Sequence, residues 1–151
     1  MATMRDNPYH AFNFLVDLDD GDPGSVIGGF QEVDGLSTDI TISEYRNGNE
    51  KTNHVRKIPG MYSVGDVTLR RGLIGALNLW QWVRAVRNGD QNAPRNISIQ
   101  LLDESQENVV MTWRLSGAIP SSYSAPSLNA ASSGDVAIEE LVLACEDITI
   151  E

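Results

Sequence analysis

The segment from Gly28 to Gly72 constrains the fold most, because it reads as two strands joined by a polar turn. Residues 40–45 alternate with the period of two that is typical of a β-strand. The turn at 47–49, Asn-Gly-Asn, favours the left-handed conformations of a hairpin. The returning arm, 51–58, has only two apolar residues. The returning arm of this hairpin, which spans residues 38–58, therefore lacks a face that its own subunit can bury. Its backbone groups are either solvated or paired with another chain, and we favour another chain.

Length and composition predict one soluble domain over residues 1–151. A chain of this size buries roughly 68–70% of its unfolded surface, and a hydrophobic content of 41% with 21% charged residues is typical of globular proteins. No apolar run approaches the roughly 20 residues that span a bilayer. The N-terminus shows no secretory signal, so we expect the newly made protein to be in the cytoplasm. Cys145 is the single cysteine, which excludes an internal disulfide.

The net charge of −10, from 21 acids and 11 bases, is unfavourable for binding nucleic acid tightly. The same charge suits the wall of a channel that conducts a polyanion without holding it. Plain solubility explains the charge equally simply, so composition alone leaves both interpretations open.

The remaining pattern predicts a mainly β fold, an antiparallel β-sandwich or barrel of about eight strands with one flanking α-helix and the long extended hairpin. Further strands are predicted at residues 12–18, 26–33, 64–71, 97–101, 109–115 and 135–146. Turns are predicted at 20–24 and at Pro59-Gly60, a bulge at Gly28-Gly29, and an irregular surface connection at 121–133. The helix is predicted over about 73–88, anchored by Trp80, with Trp82 at the margin of its apolar stripe.

Signatures of catalysis and of metal binding are weak. His10 and His54 are far apart in the sequence, and the acidic run 17–22 lacks the glycine and glutamate spacing of an EF-hand. A solvated turn is favoured there over a weak surface calcium site. No nucleophile elbow or phosphate-binding loop occurs. We therefore expect no catalytic residue, no cofactor and no metal, and we expect the pairs Arg56-Lys57 and Arg70-Arg71 to meet acids of another subunit.

Several short phrases, in order along about 140 residues, carry a resemblance. They are Asn7-Pro8-Tyr9, Gly29-Phe30-Gln31-Glu32-Val33, Glu44-Tyr45-Arg46, Lys57-Ile58-Pro59-Gly60, Leu69-Arg70-Arg71-Gly72, Leu79-Trp80-Gln81-Trp82 and Val136-Ala137-Ile138-Glu139. Their order and spacing resemble the tail-tube proteins of contractile phages and of the related contractile injection systems.

This resemblance implies hexameric rings that stack into a hollow tube, with strands of each subunit lining the lumen and the hairpin contacting neighbours. It implies partners as well: further copies of the chain, a sheath, a baseplate, a terminator and a cargo of protein effector or DNA. Assembly would take place in the cytoplasm, without a membrane anchor. An injection system is favoured over a true contractile phage, and a monomeric β-sandwich binding module is the alternative of a different class.

The hairpin and the two basic pairs define the expected oligomer interface. The residues expected there are Glu44, Tyr45, Arg46, Asn47, Gly48, Lys51, His54, Val55, Arg56, Lys57, Pro59, Arg70 and Arg71.

Overall fold

The computed structural model describes residues 2–19, 29–131 and 133–151. Within those ranges the chain forms nine strands and one helix. They are β1 (Phe14–Asp17), β2 (Glu32–Asp34), β3 (Thr38–Tyr45), β4 (Arg56–Val64), β5 (Val67–Gly72), α1 (Asn78–Arg87), β6 (Arg95–Leu102), β7 (Val109–Ser124), β8 (Ile138–Ala144) and β9 (Asp147–Ile150). No helix in these ranges combines the length and apolar character needed to cross a membrane.

The strands form one seven-stranded sheet and a separate two-stranded sheet, and every strand pair is antiparallel. The large sheet has the order β1-β6-β7-β8-β5-β2, and β9 also pairs with β7. The long strand β7 contributes to two sets of strands, because its first half lies between β6 and β9 and its second half beside β8. This arrangement agrees with the predicted β-sandwich class, and the strands do not close into a barrel within one chain.

The core lies between the layers of the large sheet and under α1. Alternate residues of β5, β6 and β8 point inward, as the period of two predicts. The buried cluster includes Val16, Val67, Leu69, Leu79, Trp82, Ile97, Leu115, Leu141 and Leu143. These side chains give the large sheet its own apolar interior, so this part of the chain is stabilised without a partner.

An ion pair lies inside this core. The Arg71 guanidinium donates to Glu139 Oε1 from Nε at 2.8 Å, and the two side chains are only 2% and 3% exposed. The Tyr123 hydroxyl donates to Glu139 Oε2 at 2.7 Å. Burial and this neighbouring carboxylate raise the pKa of Tyr123 to about 12. The three residues join β5, β8 and β7, so they fix the relative register of three strands.

Several predicted strand boundaries are corrected. β1 is shorter than predicted, and Phe12 is exposed. β7 continues to Ser124, so the first part of the predicted loop 121–133 is strand. The last strand, predicted at 135–146, is shortened to β8, and β9, which was not predicted, follows it and pairs along a different part of β7. The turn at 20–24, Gly28 of the predicted bulge and the first three residues of the strand predicted at 26–33 lie outside the described residues. Of residues 29–33, only Glu32 and Val33 are strand, as part of β2.

The helix is also shorter than predicted, because α1 begins at Asn78 rather than near Leu73. Its anchor is Trp82, which is 1% exposed and donates from Nε1 to the Ala93 carbonyl at 2.7 Å. Trp80, the predicted anchor, is 39% exposed and lies beside Tyr123. The predicted end of the helix is confirmed, since Gly89 has a φ of 77° and its amide bonds to the Val86 carbonyl.

Candidate assembly interface

The two-stranded sheet and its connecting loop, residues 38–64, form a projection that we call the arm. All residues of β3 are exposed, and so are all residues of β4 except Val64 at its end. The exposed residues include large apolar side chains: Ile40 and Tyr62, each 57% exposed, Met61, 85% exposed, and Ile42 and Ile58. Within the described residues these two strands pair only with each other, so both outer edges of the sheet are unpaired, and β4 touches the body beside β9.

The loop at the end of the arm contains a tight turn at 47–50, where the Glu50 amide donates to the Asn47 carbonyl at 3.2 Å, and Arg46 organises the rest of the loop. Its guanidinium donates to the Thr52 carbonyl at 3.1 Å and to the Glu50 carbonyl at 3.2 Å. The Tyr45 hydroxyl donates to the Asn47 side chain. None of residues 47–49 has a positive φ, so the predicted left-handed turn is wrong. The loop spans residues 46–55, and the arginine satisfies backbone carbonyls that a short hairpin would pair directly.

Charged side chains surround this loop. Lys57 Nζ lies 2.5 Å from Glu44 Oε1, and an Arg56 nitrogen lies 2.9 Å from Glu50 Oε1. Lys51 and His54 are exposed in the loop. Solvent weakens the exposed pair of Lys57 and Glu44, so it contributes little to the stability of the chain. The Glu50 side chain is only 15% exposed, so its pair with Arg56 is better shielded.

The sequence pattern predicted that Pro59 and Gly60 end the returning strand, and this prediction is wrong. β4 continues to Val64, and the strand accommodates the pair through a bulge, where the partners change from Ile40–Tyr62 to Ile42–Pro59. The interface predicted from the sequence therefore omitted Met61 and Tyr62. Their signal was present, because the strand-forming residues Tyr62 and Val64 follow Gly60 before the next break at Gly65.

The arm leaves the large sheet at a crowded point, which we call the junction. Gly35 has a φ of 88°, and a Cβ at this position would lie 2.2 Å from the Asp66 carbonyl oxygen. The Gly65 amide bonds to the Ser37 carbonyl on the other strand. The Tyr62 hydroxyl donates to Asp147 Oδ1 of β9 at 3.3 Å. The junction therefore excludes side chains where the arm begins, and one polar contact connects the arm to the body.

The second basic pair lies in the body and is engaged within the chain. Arg70 contacts Glu32 at 2.8 Å and Glu140 at 3.2 Å, and hydrogen bonds to these carboxylates raise its pKa above the ordinary value. Arg71 is buried against Glu139. The structure thus separates Arg71 from the other predicted interface residues, because its side chain does not reach the surface of the chain.

Groups that would hold a metal ion do not converge in the described ranges, where no three His, Cys, Asp or Glu side chains form a cluster. His10 lies beside Phe12, with ring centroids 5.2 Å apart, while His54 lies in the arm loop. The only cysteine, Cys145, is half-buried near the junction, and burial with the nearby Asp66 carboxylate raises its pKa to about 11.

Solved structures share this fold over nearly the whole chain. The sheath-tube complex of PVC, an extracellular contractile injection system, contains a chain with 29% identity and a TM-score of 0.81, covering 95% of this chain and 91% of that one. A chain of the anti-feeding prophage tube terminating cap has 26% identity and a TM-score of 0.84, covering 100% and 95%. A chain of the six-fold symmetrised anti-feeding prophage baseplate has 27% identity and a TM-score of 0.81, covering 97% of both.

No curated protein matches the chain in sequence. The sequence family described as "T4-like virus tail tube protein gp19" matches residues 10–149, which is almost the full length. Together with the sandwich, the single flanking helix and the projecting arm, this match establishes that the chain belongs to the T4-like tail tube protein family.

Proposed function

We propose that this protein is the structural protomer of the inner tube of a contractile injection system or a phage-tail-like particle. In this proposal hexameric rings stack into a hollow tube that is driven through a target envelope and conducts cargo. The observation that carries it is the arm, whose outer edges pair with no other described strand and whose apolar side chains are exposed. A ring closes lateral edges, and a head-to-tail axial contact repeats without closing, so the same subunit builds a tube.

The solved relatives support the setting of this tube. They come from a sheath-tube complex, a tube cap and a six-fold symmetrised baseplate. By analogy, the partners of this chain are further copies of itself, a sheath, a baseplate and a terminator. Assembly in the cytoplasm, before the particle is completed, fits this role. Residues 1–151 would act as one domain within each ring.

The work of such a subunit is mechanical rather than catalytic. The net charge of −10 fits a conduit for acidic cargo, because like charges prevent the wall from holding what passes through it. A true contractile phage that conducts DNA is the alternative, since the matching family is described from T4-like viruses. The injection-system assignment is favoured because these solved relatives belong to PVC and the anti-feeding prophage.

Replacing Arg46–Lys51 by a short Gly-Ser link tests the proposal. This change removes the loop that Arg46 organises and leaves the buried core untouched. We expect the circular dichroism spectrum and the urea midpoint of the variant to match those of the parent. Negative-stain electron microscopy should show tubes for the parent and none for the variant.

Gln81→Ala, on the exposed side of α1, is the matched control and should form tubes as the parent does. Normal tubes from the loop variant would overturn the role of the arm. A parent protein that remains monomeric at every concentration would instead favour the binding-module alternative.

A further inference from the structure

We propose that the tip of the arm docks on the junction of a second copy of this chain, with opposite charges facing each other across the contact. This inference rests on the proposed tube function and names the two surfaces that meet. It follows from how charge is distributed along the chain and where the fold places that charge.

The tip of the arm, residues 44–57, is positively charged on a strongly negative protein. It holds four bases and two acids, whereas the rest of the chain holds 19 acids and seven bases. The two acids, Glu44 and Glu50, are already paired with Lys57 and Arg56. The positive excess therefore belongs to Lys51 and Arg46, and this end of the arm suits an acidic partner.

The junction has the opposite charge. Five carboxylates lie at or beside it: Asp34, Asp39, Asp66, Glu146 and Asp147. No lysine or arginine occurs in residues 34–39, 62–68 or 144–149. The structure brings these three segments together through the close approach of Gly35 to Asp66 and the hydrogen bond from Tyr62 to Asp147. The junction is therefore a surface that fits a basic loop.

The tip does not reach the junction of its own chain. Tyr45 pairs with Arg56 at the far end of the arm, and Thr38 pairs with Val64 at the junction end. An extended strand rises about 3.4 Å per residue, so these two ends are roughly 25 Å apart. A contact between tip and junction must consequently join two copies, and because the two surfaces differ, it is the head-to-tail contact that a repeating assembly requires.

Apolar side chains accompany the charges at both ends. Tyr45 and Val55 are exposed at the tip, with Ile58 exposed directly after it, and Ile40 and Tyr62 are exposed towards the junction. A contact that combines an apolar centre with complementary charges at its margin is typical of specific protein interfaces. The charges then determine which surface of the neighbour the apolar residues meet.

A charge exchange tests this pairing of surfaces. The tip variant carries Lys51→Glu, the junction variant carries Asp66→Lys, and a combined variant carries both changes. Lys51 and Asp66 are both exposed. The critical concentration for tube formation is measured by sedimentation and checked by electron microscopy. A variant with Arg84→Glu, on the exposed part of α1, matches the charge change of the tip variant elsewhere.

Each of the first two variants places like charges at the contact, so we expect the critical concentration to rise at least about tenfold. The combined variant restores opposite charges and should return to within about threefold of the parent. The helix variant should assemble as the parent does. Raising the salt from about 50 mM to about 500 mM should weaken assembly of the parent and of the combined variant alike.

The results that would contradict the contact differ from the result that would contradict the tube function. Unchanged assembly of the tip variant, or loss of tubes without recovery in the combined variant, overturns the pairing of these surfaces while the tube function stands. A parent that forms no tubes overturns the proposed function itself. Equal losses in the helix variant would show an effect of total charge and would also overturn the specific contact.

Discussion

The arm and the large sheet are both built from alternating β-strands, yet one part is complete and the other is not. In β5 and β8 every second residue is buried, and Leu69, Leu141 and Leu143 meet in one core. In β3 every residue is exposed, including Ile40 and Ile42. The difference shows that alternation specifies a strand with two unlike faces, but a second layer is required to stabilise them. In the arm, we propose that another copy supplies this layer.

The largest difference in free energy of unfolding is expected between breaking the buried ion pair of the large sheet and breaking an exposed ion pair of the arm. Glu139→Ala leaves the Arg71 guanidinium charged and buried, which should lower the free energy of unfolding by about 3–5 kcal/mol. Glu44→Ala removes an exposed partner of Lys57 and should cost at most about 1 kcal/mol. Urea denaturation of unassembled protein measures both. Equal losses would contradict the division into a self-sufficient body and a dependent arm.

Shortening a buried and an exposed apolar side chain tests the same difference between the large sheet and the arm. Leu141→Ala opens a cavity in the core and should lower the free energy of unfolding by about 2–5 kcal/mol. Ile42→Ala should change it by no more than about 0.5 kcal/mol, because the side chain is already in solvent. The second variant should instead require more protein to form tubes. A large loss of monomer stability for Ile42→Ala would mean that the arm packs within its own chain.

A smaller effect is expected where body and arm join. Gly35→Ala introduces a side chain at a φ of 88° and against the Asp66 carbonyl, which should destabilise the chain by about 1–3 kcal/mol. A Cβ added at Gly48 in the arm loop would meet no other atom within 4 Å, so Gly48→Ala should be nearly neutral. Thermal unfolding of the two variants distinguishes the sites. Similar midpoints would show that the junction is not constrained.

The smallest effect concerns thiol chemistry rather than stability. Burial raises the pKa of Cys145 to about 11, so little thiolate forms near pH 8. A cysteine placed in the arm by Ser43→Cys is exposed and should have an ordinary pKa. We expect iodoacetamide to modify Cys145 at least about tenfold more slowly than the arm thiol in unassembled protein. Comparable rates would contradict the protected environment of Cys145.

The sequence predicted the fold class and most strands because alternation is a local property. It placed the anchor of α1 at Trp80 because the apolar stripe was followed from Leu73, ahead of the actual helix start. Within Asn78–Arg87, the spacing of Leu79, Trp82 and Val86 is the better helical stripe, and it identifies the buried tryptophan.

The interface was predictable in part. The arm was evident from its polar returning strand, but Met61 and Tyr62 were missed because Pro59-Gly60 reads as a stop, and the bulge that absorbs it depends on pairing with β3. Arg71 was assigned to the interface because it follows Arg70. Its position on the same face of β5 as Val67 and Leu69 indicated that its side chain is buried. Its partner Glu139 lies 68 residues away in the sequence, so no local pattern could identify the pair.

Hydrogen exchange of the arm amides tests the central claim most directly, namely that the arm is completed only by other copies. Exchange at Thr38–Tyr45 and Arg56–Val64 is compared between unassembled protein and tubes, with the amides of β5 and β8 as the internal reference. We expect the reference to be protected in both states and the arm to become strongly protected only in tubes. An arm as protected in the monomer as in the assembly would contradict the account.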